Sequence, residues 1–180
     1  MARPTLKSEL IKFEKSELIE ILVSLTKKNK EVKEYFDFFM NPDVEKLTDK
    51  YQNLISREFQ RTYRGYRSKA RISVIKGLIK KYINFDIELQ NAIEIYCFTI
   101  GEALSAEKRF HFPDTLLRGI CRLTEDGLKY SLDNFVLDQF LISIDNLLKT
   151  GTGFPRFVRE IERTIQTFLA DRTTKINRKF

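Results

Sequence analysis

IELQNAIEIYCFTIGEAL, residues 87–104, is the segment that decides the fold class of this 180-residue chain. Apolar residues crowd its middle between Ile93 and Ile100 and leave little polar face. A helix that is apolar on most sides must be covered by other elements. The sequence therefore predicts a central helix that begins near Asp86, a possible N-cap, and ends at about Ala106.

Apolar residues recur at helical spacing in the segments on both sides of this central helix. These segments are 6–13, 18–25, 32–39, 44–55, 70–79, 116–128, 135–147 and 157–168. Seven Gly and four Pro are too few for the recurring turns of an all-β protein. We predict an all-α, single domain of about eight antiparallel helices, as a helical bundle or as stacked helical hairpins, with a short basic tail at 171–180.

Capping and helix-breaking residues predict where these helices begin and end. Ser16 is a predicted N-cap, and Asn41-Pro42 separates a short helix from a long one. Residues 60–68 are polar, contain Gly65 and show no sustained apolar period. We therefore predict a loop there, followed by a return to helix.

Composition favours a cytoplasmic protein with a core of its own. Hydrophobic residues make up 42% of the chain, with 15 Phe and 7 Tyr. Cys97 and Cys121 lie in apolar stretches, which indicates buried thiols in a reducing compartment rather than a disulfide framework. The sequence shows no signal-peptide core and no apolar run long enough to span a membrane, so we expect no membrane contact.

The basic residues are concentrated in REFQRTYRGYRSKARISVIKGLIKKY, residues 57–82. Nine basic residues and one acid, Glu58, give this stretch a charge of +8, against +7 for the whole protein. Arginine pairs with phosphate in a fork geometry, and aromatic rings and guanidinium planes stack on unpaired bases. Phe59, Tyr63 and Tyr66 interleave with the arginines, which favours RNA. The candidate nucleic-acid-binding residues are Arg57, Arg61, Tyr63, Arg64, Tyr66, Arg67, Lys69, Arg71, Lys76, Lys80 and Lys81.

Two functions are compatible with this stretch. The first is a non-enzymatic protein that contacts RNA or a ribonucleoprotein, with the segment Lys175–Lys179 as a second contact. The second is a helical protein-interaction adaptor, with an acidic protein partner or a second copy of itself. In that case the arginines are solvated or pair with an acidic surface of the same chain. The candidate acids for this pairing are Glu9, Glu14, Glu17 and Glu20.

The sequence shows no catalytic, metal or cofactor motif. The one histidine, His111, has no partner at a spacing that identifies a nucleophilic triad. The acidic pairs Glu17/Glu20 and Asp138/Asp145 are typical of solvated helix faces. The glycine turn at 151–153 lacks the strand and the Lys-Ser/Thr of a phosphate-binding loop. We therefore expect no enzyme activity, no cofactor and no bound metal.

The segment SELIEILVSLTKKNKEVKEYFDFFMNP, residues 16–42, resembles the N-terminal signature of an uncharacterised bacterial all-helical family of the domain-of-unknown-function kind. A second block, Lys69–Tyr82, is similar to the same family. The resemblance implies a helical fold throughout, and it implies no activity, cofactor or site residue. The positions that carry the signature are Lys27, Glu31, Val32, Lys33, Tyr35, Asn41 and Pro42.

Overall fold

The structure is a computed structural model that describes residues 5–150 and 154–177. Those residues form nine helices and one two-stranded sheet, so the predicted all-α fold is confirmed. The elements are α1 (Leu6–Leu10), α2 (Lys15–Lys28), α3 (Lys30–Met40), α4 (Val44–Phe59), β1 (Thr62–Tyr63), β2 (Arg67–Ser68), α5 (Ile72–Ile83), α6 (Leu89–Arg109), α7 (Asp114–Asp133), α8 (Leu137–Lys149) and α9 (Pro155–Asn177).

The contacts within the chain group into two compact units, residues 1–43 and 44–180. The single-domain organisation stays a prediction. In the first unit α2 packs against α3. Within the described residues 5–43, no helix contains a buried side chain. The apolar period of these helices therefore does not correspond to a buried core within the unit.

Helix ends in the first unit follow capping chemistry. The N-cap of α2 is Glu14, whose backbone N–H donates to the Glu17 carboxylate at 2.8 Å in a capping box. Ser16 lies inside the first turn, so its predicted role as N-cap is wrong. The Asn29 side chain caps α3 by accepting from the backbone N–H groups of Glu31 and Val32. The break at Asn41-Pro42 is confirmed, because α3 ends just before it and α4 begins just after it.

In the second unit α6 is the central helix, as its apolar sequence predicts. It packs against α4, α5, α7 and α8, while α9 packs against α7. Ile93, Ile95 and Ile100 are completely buried. The helix begins at Leu89 after Glu88, not at a cap on Asp86, because Asp86 has a left-handed backbone with φ +53°.

The turn between α7 and α8 contains Phe135, the first residue of the predicted helical segment 135–147. Phe135 lies outside both helices with φ +60°, and its side chain is 96% exposed. The Asn134 side chain donates to the Tyr130 carbonyl at 2.8 Å and closes α7. Since α8 starts only at Leu137, the helical period expected from Phe135 onward does not begin there.

The C-terminal segment is also more helical than predicted. Helix α9 continues to Asn177, so most of the predicted tail at 171–180 is helical. Residues 178–180 and the glycine turn at 151–153 lie outside the described residues. Cys97 and Cys121 are free thiols, and burial raises the pKa of the Cys97 thiol to about 12. Among the described helices none is both long and apolar enough to cross a membrane.

Candidate nucleic-acid interface

Residues 62–68 form a β-hairpin, so the predicted loop is wrong in its local structure. Thr62 lies opposite Ser68 and Tyr63 lies opposite Arg67. The backbone N–H of Tyr66 donates to the Tyr63 carbonyl. The two residues between them, Arg64 and Gly65, have φ values of +52° and +79°, the left-handed pair that matches strand twist in tight hairpins. We call residues 61–69 the basic hairpin.

The basic hairpin is fixed to the loop between α6 and α7 by backbone hydrogen bonds. The His111 N–H donates to the Tyr66 carbonyl at 2.7 Å, and the Ser68 N–H donates to the His111 carbonyl at 3.0 Å. The hairpin closes at its base through the Lys69 N–H and the Arg61 carbonyl at 2.8 Å. His111 therefore acts through its backbone as a third partner of the hairpin, while its side chain is exposed.

The single acid of the basic stretch, Glu58, is buried and accepts four hydrogen bonds. Its Oε1 accepts from Arg61 Nη1 at 2.7 Å, from Arg71 Nε at 2.8 Å and from the Arg71 backbone N–H at 2.9 Å. Its Oε2 accepts from Arg71 Nη2 at 2.9 Å. The Glu58 carboxylate thus links the end of α4, the hairpin and the start of α5.

The hydrogen-bond donors around Glu58 determine the pKa of its carboxyl group. The bidentate Arg71 guanidinium, with help from Arg61, lowers the pKa of Glu58 from 4.5 to about 2, although burial opposes the shift. The carboxylate also lies at the N-terminus of α5, where the helix dipole favours an anion. Arg61 and Arg71 remain 41% and 55% exposed at their side chains, so each can contact a further anion from its open side.

The aromatic residues of the stretch divide between the surface and the core. The Tyr63 ring lies under two cations, with the Arg64 guanidinium at 5.2 Å and the Lys69 ammonium at 4.9 Å from its centroid. Tyr66 is 58% exposed. Phe59 is completely buried, so it cannot stack on a base as the sequence suggested.

The lysines of α5 are separate from the basic hairpin. Lys76 pairs with Asp126 on α7 at 2.5 Å. Lys80 and Lys81 lie in the last turn of α5, about 14 Å along the helix axis from Arg71. The predicted residues therefore do not form one cluster, because Lys80 and Lys81 lie at the far end of α5 from the basic hairpin.

The arrangement presents cations and aromatic rings on a backbone that hydrogen bonds hold in place. Its exposed groups are Arg57, Arg61, Tyr63, Arg64, Tyr66, Arg67, Lys69 and Arg71. The described residues contain no cluster of His, Cys, Asp or Glu that could hold a metal ion. Phosphate binding with base stacking is the chemistry that these groups offer.

Sequence reasoning missed two residues that build this site. Glu58 stood out as the only acid in a stretch of nine bases, next to a predicted helix end, and that contrast could have indicated a structural counter-ion. His111 gave no such signal, because its contribution is made by backbone atoms about 45 residues away in sequence.

The model of a family described as "Family of unknown function (DUF6155)" matches residues 1–158. No curated protein and no solved structure matches the chain.

Proposed function

Since the chain belongs to this family of unknown function, we propose its role from the basic hairpin: it is a non-enzymatic cytoplasmic protein that binds RNA or a ribonucleoprotein. The observation that carries the proposal is the hairpin itself, in which Tyr63 and Tyr66 stand among exposed arginines on a hydrogen-bonded backbone. A bacterial origin stays a prediction.

The positions of the charges support RNA contact. Glu58 neutralises part of the charge of Arg61 and Arg71, whereas Arg64 and Arg67 are exposed at and beside the turn. An ordered hairpin loses less conformational entropy on binding than a mobile loop would. Tyr66 adds an exposed ring on which an unpaired base can stack, whereas the Arg64 and Lys69 side chains already lie over the Tyr63 ring. The hairpin thus suits single-stranded or looped RNA better than a regular duplex.

Charge removal at the hairpin tests the proposal. We expect R64A/R67A to weaken binding of the full chain to a structured RNA and to reduce the salt slope by about 0.7 for each phosphate that no longer has an arginine partner. Fluorescence anisotropy at several salt concentrations measures both quantities. K80A/K81A removes the same charge at the far end of α5 and should leave the slope almost unchanged. Equal effects of the two variants, or binding indifferent to salt, would contradict the proposal.

A second candidate function is protein interaction through the first unit. Large apolar side chains of α2 and α3 are exposed although both helices are well formed. Exposed apolar groups on ordered helices are typical of interaction surfaces. The exposed apolar residues of these helices are Ile19, Ile21, Leu22, Val23, Leu25, Phe39 and Met40.

Nuclease treatment separates the two functions. If the adaptor function is correct, proteins captured from native cells by the full chain remain bound after nuclease digestion. The variant L22E, which places a charge in the exposed apolar face of α2, should then release them, while R64A/R67A should not. Loss of all captured proteins on digestion would instead favour RNA contact.

A further inference from the structure

A cavity lies directly beside the basic hairpin. It has a volume of about 430 Å³ and is bounded by the end of α6, the α6–α7 loop and the start of α9. This volume is within the range of small-molecule sites, about 300–1,000 Å³. We call it the Glu107 cavity. Its polar and aromatic lining includes Glu107, Phe110, His111, Asp114, Phe154 and Arg156.

The Glu107 cavity and the basic hairpin share a residue. His111 lines the cavity, and its backbone N–H and carbonyl bond to Tyr66 and Ser68 of the hairpin. A nucleotide whose phosphate contacts the hairpin is therefore next to the cavity mouth. His111 therefore connects the two features, and both belong to the second unit.

Glu107 is a carboxylate short of donors. The Phe154 backbone N–H donates to it, but Oε2 has no hydrogen-bond partner among the described residues and is shielded from water. Burial raises the pKa of Glu107 above its usual value. Rotation about the terminal torsion of glutamate is easy, so either oxygen can turn to the cavity. A ligand that brings N–H donors would satisfy the unpaired oxygen.

The charges and aromatic rings around Glu107 indicate which kind of N–H donor the cavity binds. The lining holds two acids, Glu107 and Asp114, and one cation, Arg156, which pairs with Asp114 at 3.4 Å. What disfavours a cationic side chain of another protein is therefore the positive charge of the adjoining hairpin, which repels it. A nucleobase carries N–H donors without charge, and its phosphates are attracted by the hairpin. Phe154, which is 50% exposed, and Phe110 supply aromatic surface for stacking.

Among the bases, guanine matches the carboxylate. Its Watson–Crick edge presents N1–H and N2–H side by side, which corresponds to the two oxygens of a carboxylate. Adenine and cytosine place an acceptor beside their amino group, and uracil has one N–H between two carbonyls. We propose that the Glu107 cavity binds an unpaired guanine base of an RNA strand whose phosphates contact the basic hairpin. This inference rests on the proposed RNA-binding function.

The test uses the full chain and eight-nucleotide oligouridines with one central G, inosine or A, measured by fluorescence anisotropy at low salt. We expect the G oligonucleotide to bind about 10-fold more tightly than the A oligonucleotide, with inosine, which lacks the N2 amino group, in between. The substitution E107Q keeps an oxygen for the Phe154 N–H and should abolish the preference for G. F154L should weaken binding of all three.

The possible outcomes of this test distinguish the cavity proposal from the RNA-binding function. Equal affinity for G, inosine and A, or a G preference that E107Q leaves intact, overturns the cavity proposal while the RNA-binding function stands. Absence of binding to every oligonucleotide and to structured RNA overturns both. The variant R64A/R67A should lower all affinities alike and retain the G preference. Tight binding of an arginine-rich peptide that E107Q abolishes would show a cationic protein ligand instead and overturn the guanine proposal.

Discussion

Glu58 and Glu107 occupy equivalent places in two long helices and have opposite environments. Each lies in the last turn of its helix, α4 or α6, where the helix dipole disfavours an anion. Glu58 accepts four hydrogen bonds, and its pKa falls to about 2. Glu107 has the Phe154 N–H and an unpaired oxygen, and its pKa is raised. The difference shows that the Glu58 carboxylate stabilises the fold, whereas the Glu107 carboxylate can still accept hydrogen bonds from a ligand.

The largest expected effect is at Glu58. We expect E58Q to lower the free energy of unfolding at pH 7 by about 2 kcal/mol, because a neutral amide replaces the buried anion while the half-exposed guanidiniums of Arg61 and Arg71 can still be solvated. Urea denaturation of the wild type and the variant measures this loss. The variant S56A, a nearby change on α4 that leaves the ion pairs intact, serves as the control.

The pH dependence of this loss checks its cause. The pKa of Glu58 in the folded chain lies below its unfolded value of 4.5, so its stabilisation is complete above pH 4.5 and disappears as the pH falls through about 2. The shift corresponds to about 3 kcal/mol at most. The difference between wild type and E58Q should therefore shrink steadily as the pH falls below 4.5. A difference that is constant from pH 7 to pH 2.5 would contradict the ion-pair explanation.

The smaller effect is at Glu107 and has the opposite sign. We expect E107Q to raise the free energy of unfolding at pH 7, by less than about 1 kcal/mol, because the amide removes an incompletely paired anion and keeps an acceptor for Phe154. The raised pKa means that the carboxyl of the wild type favours the fold below pH 4.5 and loses that advantage as the pH rises through the folded value. Thermal unfolding of both proteins at pH 4 and pH 7 measures this, and a lower melting temperature for E107Q at pH 7 would show that Glu107 is structural like Glu58.

Sequence periodicity predicted the helices because a buried apolar face repeats every turn, and α7 shows this most clearly. It could not predict what covers such a face. Helices α2 and α3 carry the same period as the helices of the second unit, yet they contain no buried residue in the described chain. The period of a helix indicates an apolar side, and only the tertiary structure supplies its partner.

The sequence predicted most of the residues that make up the candidate site, but it did not predict how they are arranged. Strands of two residues are too short to show a period, so the segment around Gly65 resembled a loop. The burial of Phe59 and the pairing of Lys76 with Asp126 depend on helices far away in sequence. The same holds for Glu107, whose partner Phe154 lies directly before α9. The local sequence predicted where the basic residues are concentrated. Long-range packing determines which of them are exposed and can bind a ligand.

The link between Tyr66 and His111 also has a consequence for how the chain folds. The hydrogen bonds that fix the hairpin join backbone atoms about 45 residues apart, so they form only after α6 has folded back along α4. A two-stranded hairpin is marginally stable alone in water. The proposed RNA-binding surface is therefore expected among the last parts of the second unit to become ordered, and a nascent chain would present its arginines in a fixed arrangement only once α6 is complete.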